Sequence, residues 1–177
     1  VPESSVMRAI ADPRYWFTAV NQFLAAAGRK PLFDVQVVGA KKEVELNDGV
    51  FSVNTDIRID EMKNADLVVV PALFGAMTKA LGMNKKLVPW IVEQYKQGAE
   101  VASLCVGAFL LASTGLLDGK KCSTHWGFTN EFRQMFPNVE VVDGSIVTEE
   151  SRVYSSEGAN SYGNLVLHLV EKYTNRE

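Results

Sequence analysis

Two cysteines and two histidines are the strongest nucleophile and base candidates in these 177 residues, and one of each, Cys105 and His125, stand 20 positions apart. Cys105 follows Val101 to Leu104, a short apolar run that reads as a buried strand. It precedes Gly107 to Ser113, which reads as a helix closed by Gly115 at its C-terminal cap. A residue at such a strand-to-helix bend is held at the carboxyl edge of a sheet, beside the unpaired backbone N–H groups of the helix start. The helix dipole there favours negative charge, so this thiol is expected to ionise more readily than one in a core. A thiolate so placed is a nucleophile, and it needs a base and an oxyanion site. His125 is the candidate base, and the backbone N–H groups of Val106 and Gly75 are the candidate oxyanion donors. Each residue also has a structural alternative. Cys often just fills a core, a lone His is often satisfied by a backbone carbonyl, and Trp126, Trp90 and Phe109 are core aromatics before they are pocket walls. His168, among Leu165, Leu167 and Leu169, reads as structural.

The elements that must position these groups follow in chain order. Tyr15 to Ala27 reads as a helix stopped by Gly28, with Trp16, Val20, Phe23, Leu24 and Ala27 on its core face. Leu32 to Val38 alternates as a strand, and Val44 to Val53 reads as a hairpin turning at Asn47, Asp48 and Gly49. Asp66 to Pro71 is a continuous apolar strand of the kind buried on both faces of a parallel sheet, and it runs into Ala72-Leu73-Phe74-Gly75. Pro89 to Gln97 has the Pro-first, Gly-after pattern of a helix. Beyond Cys122 a short strand leads into a helix from about Gly127 to Phe136, stopped by Pro137. Val139 to Val142 and Ser145 to Thr148 read as strands around Asp143-Gly144, and Arg152 to Ser155 as another. A last helix capped by Asn160 or Ser161 ends near Tyr173. Alternating strands and helices of these lengths predict an α/β sandwich with a mainly parallel sheet, in which ligands gather at the carboxyl ends of the strands. The chain opens on what reads as a strand's exit loop, so an earlier central strand is expected before Val1.

Composition sets bounds. The length suits one domain, 47% of residues are hydrophobic and 22% charged, and the net charge of -3 comes without a block of either sign. There is no basic footprint for nucleic acid and no Cys/His spacing suited to a metal, so no cofactor is expected. No apolar run reaches the ~18 residues of a membrane span. The opening residues do not read as a secretory signal, and with two unclustered cysteines the expected setting is the reducing cytoplasm.

The run Cys105-Val-Gly-Ala-Phe-Leu-Leu-Ala-Ser-Thr-Gly-Leu-Leu-Asp-Gly-Lys-Lys-Cys-Ser-Thr-His125-Trp126 resembles the signature of the ThiJ/PfpI superfamily, and more narrowly the branch fused to AraC-type DNA-binding domains. Phe136 to Val139, Tyr154 to Tyr162 and Leu167 to Glu171 continue the likeness. The resemblance implies a flavodoxin-like three-layer α/β/α sandwich of the class I glutamine amidotransferase-like type over 1–177, forming a homodimer. It also implies a helix-turn-helix domain beyond Glu177 that would carry any DNA binding. Catalytic members place a carboxylic acid over the cysteine, four residues before a proline. Counted from Pro13 that position is Ala9, while Glu3 and Asp12 are the nearby acids that could substitute. Losing such an acid removes ~10²–10⁴-fold of acid–base assistance.

The resulting expectation is a non-catalytic, ligand-sensing and dimerising domain of a bacterial AraC-family regulator. Its pocket for an unknown small-molecule effector would be lined by Cys105, His125, Trp126, Val106, Gly75, Phe74 and Ala9. The alternatives are a cysteine-dependent hydrolase, hydratase or glyoxalase-like enzyme using Cys105 and His125, and a redox sensor oxidised at Cys105.

Overall fold

The computed structural model of the chain describes residues 1–158 and 161–174. Its main sheet has four strands in the order β5 (Leu67–Val70), β6 (Glu100–Ser103), β10 (Val153–Ser156) and β9 (Val147–Glu150). The first three are parallel, with Val68 opposite Val101 and Val101 opposite Val153, and β9 is antiparallel to β10. In β6, Val101, Ala102 and Ser103 are fully buried, so both faces of the strand are covered, as its unbroken apolar run predicts. Short two-residue ladders flank this core: β1 (Val38–Gly39) runs parallel to β4 (Ile57–Arg58), and β7 (Lys121–Cys122) parallel to β8 (Glu140–Val141). The expected hairpin forms as β2 (Glu43–Leu46) and β3 (Phe51–Asn54), with Asn47, Asp48 and Gly49 all at positive φ in the turn.

Among the described residues six α-helices pack on this frame: α1 (Met7–Ala26), α2 (Met77–Met83), α3 (Leu87–Lys96), α4 (Ala108–Ala112), α5 (Thr129–Met135) and α6 (Tyr162–Thr174). Helix α1 packs with α6, and α6 on β10; α2 packs with α4, α4 on β5 and α3 on β6. Phe109 of α4 meets Phe132 of α5 edge-on at 4.9 Å, locking those two helices together. Phe109 is therefore the core aromatic it was expected to be.

Several expectations are corrected. Helix α1 starts eight residues before Tyr15 and carries Pro13 inside it. Its buried face is Ala9, Pro13 and Phe17, whereas Phe23 is 75% exposed and Trp16, Val20 and Leu24 are only half-buried. Only the first half of the helix lies against the core, so the apolar residues of its second half mislead. The segment before Val38 is extended without a ladder, because Asn21 satisfies it instead: Leu32 and Phe33 N–H both donate to Asn21 Oδ1 at 2.9 Å, and Asn21 Nδ2 donates to the Phe33 carbonyl at 2.6 Å. The second hairpin turns at Ser151-Arg152, both at positive φ, and pairs β9 with β10; Asp143-Gly144 only links β8 to β9. Helix α2 and strand β4 were not anticipated. Of the two expected caps of α6, Asn160 lies outside the described residues, while the Ser161 carbonyl accepts from Asn164 N–H at 3.0 Å.

Candidate functional site

Leu104 leaves β6 extended, and Cys105 then takes φ +54°, a left-handed conformation that a residue with a Cβ adopts at a cost of about 1–3 kcal/mol. The end of β10 and the loop after β7 hold it there. Cys105 N–H donates to Ser156 Oγ of β10 at 3.4 Å, and the Thr124 hydroxyl donates to the Cys105 carbonyl at 3.3 Å. A tight turn over Cys105–Gly107 then feeds α4. Gly107 is pressed so closely onto the end of β5 that a Cβ there would stand 2.6 Å from the Pro71 carbonyl oxygen and 2.7 Å from that of Val70.

The sulfur does not behave as the elbow alone suggests. Cys105 is only 6% exposed, and burial pushes its thiol up from the ordinary value, with the Val106 N–H on the sulfur offsetting part of that rise. The easier ionisation expected at the elbow is therefore not found, because desolvation of the thiolate is the largest cause. Val106 N–H, one of the two expected oxyanion donors, is thus turned onto Sγ. Cys122 is a second buried thiol, pushed up by burial to about 11.

Residue 125 directly follows Thr124, so the hydroxyl that grips Cys105 and the imidazole leave the same turn. His125 Nδ1 accepts from Gly127 N–H at 3.1 Å. A ring nitrogen that accepts carries a lone pair, so the proton of the neutral imidazole sits on Nε2. The ring stacks on Trp126 at 5.4 Å and meets Phe128 edge-on at 5.8 Å. Beneath it lies Gly158, where a Cβ would stand 3.1 Å from the ring's Cδ2. The exit of β10 therefore touches both groups, Ser156 at Cys105 and Gly158 at His125. Trp126 is 76% exposed, which corrects its reading as a core aromatic first, since its ring covers the outer face of the imidazole. Phe74 and Gly75 are exposed in the loop after β5, with Gly75 at φ +86°. His168 pairs with Glu149 at 3.0 Å, away from this end of the sheet.

Ala9 of α1 is 1% exposed in the same core cluster as Cys105, and its methyl supplies no acid. Neither acid named as a substitute is free for that role. Glu3 pairs with Lys41 Nζ at 2.8 Å. Asp12 Oδ2 accepts from Arg8 Nε at 2.9 Å and from the Tyr162 hydroxyl at 2.6 Å. Burial, then that bond to Asp12, pushes Tyr162 up to about 12. Ser156, Thr124, Arg8 and Tyr162 were missed from sequence. Ser156, Thr124 and Tyr162 lie in the stretches that carry the resemblance, yet the first two act through backbone contacts that no motif displays. Among the described residues, no three His, Cys, Asp or Glu side chains gather as a metal site, and no helix is long and apolar enough to cross a membrane. Hollows of about 130 Å³ at Leu24, Arg29–Leu32 and Thr174 and about 260 Å³ at Glu3, Lys41 and Glu43–Glu45 are lined by neither Cys105 nor His125.

A family model described as the DJ-1/PfpI family matches residues 19–172, a span that takes in both Cys105 and His125. The chain belongs to the DJ-1/PfpI family. Across 136 residues it is 27% identical to the HTH-type transcriptional regulator GbdR of Pseudomonas aeruginosa, a match covering 77% of this chain and 36% of that protein. The chain thus spans little more than a third of that regulator's length. It is also 29% identical over 114 residues to the deglycase PH1704 of Pyrococcus horikoshii, covering 63% of this chain and 66% of the deglycase. An AraC family transcriptional regulator from Pseudomonas putida superposes with a TM-score of 0.74 at 18% identity, over 98% of this chain and 89% of that one. These likenesses confirm the flavodoxin-like α/β fold of this DJ-1/PfpI domain, with its mostly parallel strands.

Proposed function

We propose that this chain is the ligand-sensing and dimerisation domain of an AraC-type transcriptional regulator, non-catalytic, with DNA contacted by a helix-turn-helix domain elsewhere in the full-length protein. A small effector would bind over Cys105, among His125, Trp126, Val106, Phe74, Gly75 and Ala9. One observation carries the reading: the His125 ring, in the turn whose Thr124 hydroxyl bonds the Cys105 carbonyl, accepts Gly127 N–H at Nδ1, which puts the neutral ring's proton on Nε2. Its Nδ1 lone pair is taken by Gly127, so neither nitrogen is placed to accept the thiol proton. Burial of the thiol and the alanine at the acid position point the same way. The likeness to GbdR over most of this chain supports the regulator context. Ligand binding would bias two dimer arrangements, and that bias would reach the DNA-binding domain.

Thermal melts of this chain with a panel of small metabolites test the reading. A ligand that raises the melting temperature should lose its effect in Cys105→Trp and in Trp126→Ala. A rise that persists in both variants removes the effector from this site.

A second reading, a cysteine-dependent enzyme, is favoured by the retained left-handed elbow and the likeness to the deglycase PH1704. Turnover of a glycated amino acid that disappears in Cys105→Ser would establish it; absence of turnover removes it.

A further inference from the structure

We propose that the outward face of α1 from Tyr15 to Ala26 is where this chain packs against a second copy of itself, helix on helix across a two-fold axis. This rests on the dimerisation reading above and names the surface it uses.

The second half of α1 breaks the pattern of a solvated helix. A helix that buries one face in its own domain carries charged and polar side chains on the other. Although 22% of the chain is charged, the charged residues of α1 are Arg8, Asp12 and Arg14, and positions 15 to 26 carry none. Yet most of that stretch faces outward. Tyr15 is 72% exposed and Phe23 75%, with Thr18, Gln22, Ala25 and Ala26 exposed around them. Tyr15, the half-buried Ala19 and Phe23 form one i, i+4, i+8 ridge, so the two rings stand about 12 Å apart along the axis with a methyl between them. That interval admits a second helix, about 10 Å across, and the alanine lets it approach closely.

Charge selects the occupant. A foreign partner is commonly chosen by a complementary patch of charge, and this face offers none. A two-fold contact instead sets the same patch on both sides, so a charged face would meet its own sign, whereas rings, methyls, a hydroxyl and an amide pack on their own kind without repulsion. Interface cores are accordingly rich in aromatic residues and poor in charged ones. The area suffices as well. An aromatic side chain covers about 150–250 Å², so at these exposures the rings of two copies hide about 430–750 Å², and the exposed residues between them complete the ~1,000 Å² of a stable contact.

Analytical ultracentrifugation of the unaltered chain and of Phe23→Ala, Tyr15→Glu, Phe23→Glu and Ile146→Glu tests this. The unaltered chain is expected to sediment as a dimer at micromolar concentration. Phe23→Ala, which favours the helix, should raise the dissociation constant about 30-fold or more, as loss of a central interface aromatic does. Each α1 glutamate should leave a monomer with a native circular dichroism spectrum, since both positions are exposed in the folded chain. Ile146, 51% exposed between β8 and β9, is the control, and its variant should dimerise as the unaltered chain does. A dimer that survives both α1 glutamates, or one weakened equally by Ile146→Glu, overturns this face and leaves the dimerisation reading standing. A monomeric unaltered chain overturns both; hydrogen exchange then shows whether the rest of the full-length protein covers α1 instead, and the metabolite panel above decides the sensing reading separately.

Discussion

Replacing Gly107 by alanine probes how the elbow is held. The backbone there is already helical, with φ -59° and ψ -21°, so the substitution relieves unfolded-chain entropy and by itself would stabilise by up to about 1 kcal/mol. The new Cβ, however, would meet the Pro71 carbonyl oxygen at 2.6 Å, that of Val70 at 2.7 Å and the Pro71 carbonyl carbon at 3.0 Å. These are backbone atoms at the end of β5, and the Val70 oxygen also accepts from Leu104 N–H at 2.9 Å. Room can be made only by moving the turn off the strand, which strains that bond and shifts Cys105. Overpacking of this kind costs about 1–3 kcal/mol, more than the entropic gain, so a net loss of about 1–2 kcal/mol is expected. For a chain of this size that lowers the melting temperature by about 2–8 °C. Gly82→Ala in α2 is the matched control, since a Cβ there meets nothing within 4 Å, and it should raise the melting temperature slightly. Scanning calorimetry of both variants decides. If Gly107→Ala melts at or above the unaltered chain, the close approach of elbow and strand is not what fixes Cys105.

The rate of Cys105 alkylation by iodoacetamide should still be rising at pH 9.0, the ordinary thiol value, because burial holds the proton on; a plateau below pH 8 would contradict this and revive a redox role. Lys172→Met should lower stability by about 2–3 kcal/mol in urea unfolding, because it strips the cation from a shielded network in which Lys172 Nζ meets Glu100 at 2.9 Å and donates to the Tyr154 hydroxyl. In the unaltered chain Tyr154 is pushed up to about 12, first by burial, so its contribution is complete below pH 10 and fades as pH rises from 10 towards 12. Stability that is flat across that interval would refute the assignment. Tyr162→Phe removes the 2.6 Å bond to the partly exposed Asp12 and should cost about 1–2 kcal/mol, read by the same urea titration, with α1 loosening from α6.

The elbow at Cys105, the fold and the family were legible in the chain because they are written locally. The apolar run from Val101, the small residues after Cys105 and the fixed spacing to His125 each follow from what a strand, a sharp turn and a following helix require of their own residues. The main-sheet strands Leu67–Val70 and Glu100–Ser103 fall where apolar runs predict them, since a strand covered on both faces admits a polar side chain only where it finds a partner, as Ser103 does on the Tyr154 carbonyl. What the sequence could not decide is what each group is doing. Whether the thiol ionises depends on how much water the packed structure leaves around it, and burial outweighs the Val106 N–H on the sulfur. Which nitrogen of His125 holds the proton was set by a backbone N–H two residues on, through a turn that spacing does not reveal. The phase of α1 failed likewise, because Phe23 is as apolar as Phe17 and only the placement of the sheet leaves one in water and the other in the core. Local geometry is encoded residue by residue, whereas solvent access and proton location belong to the assembled environment.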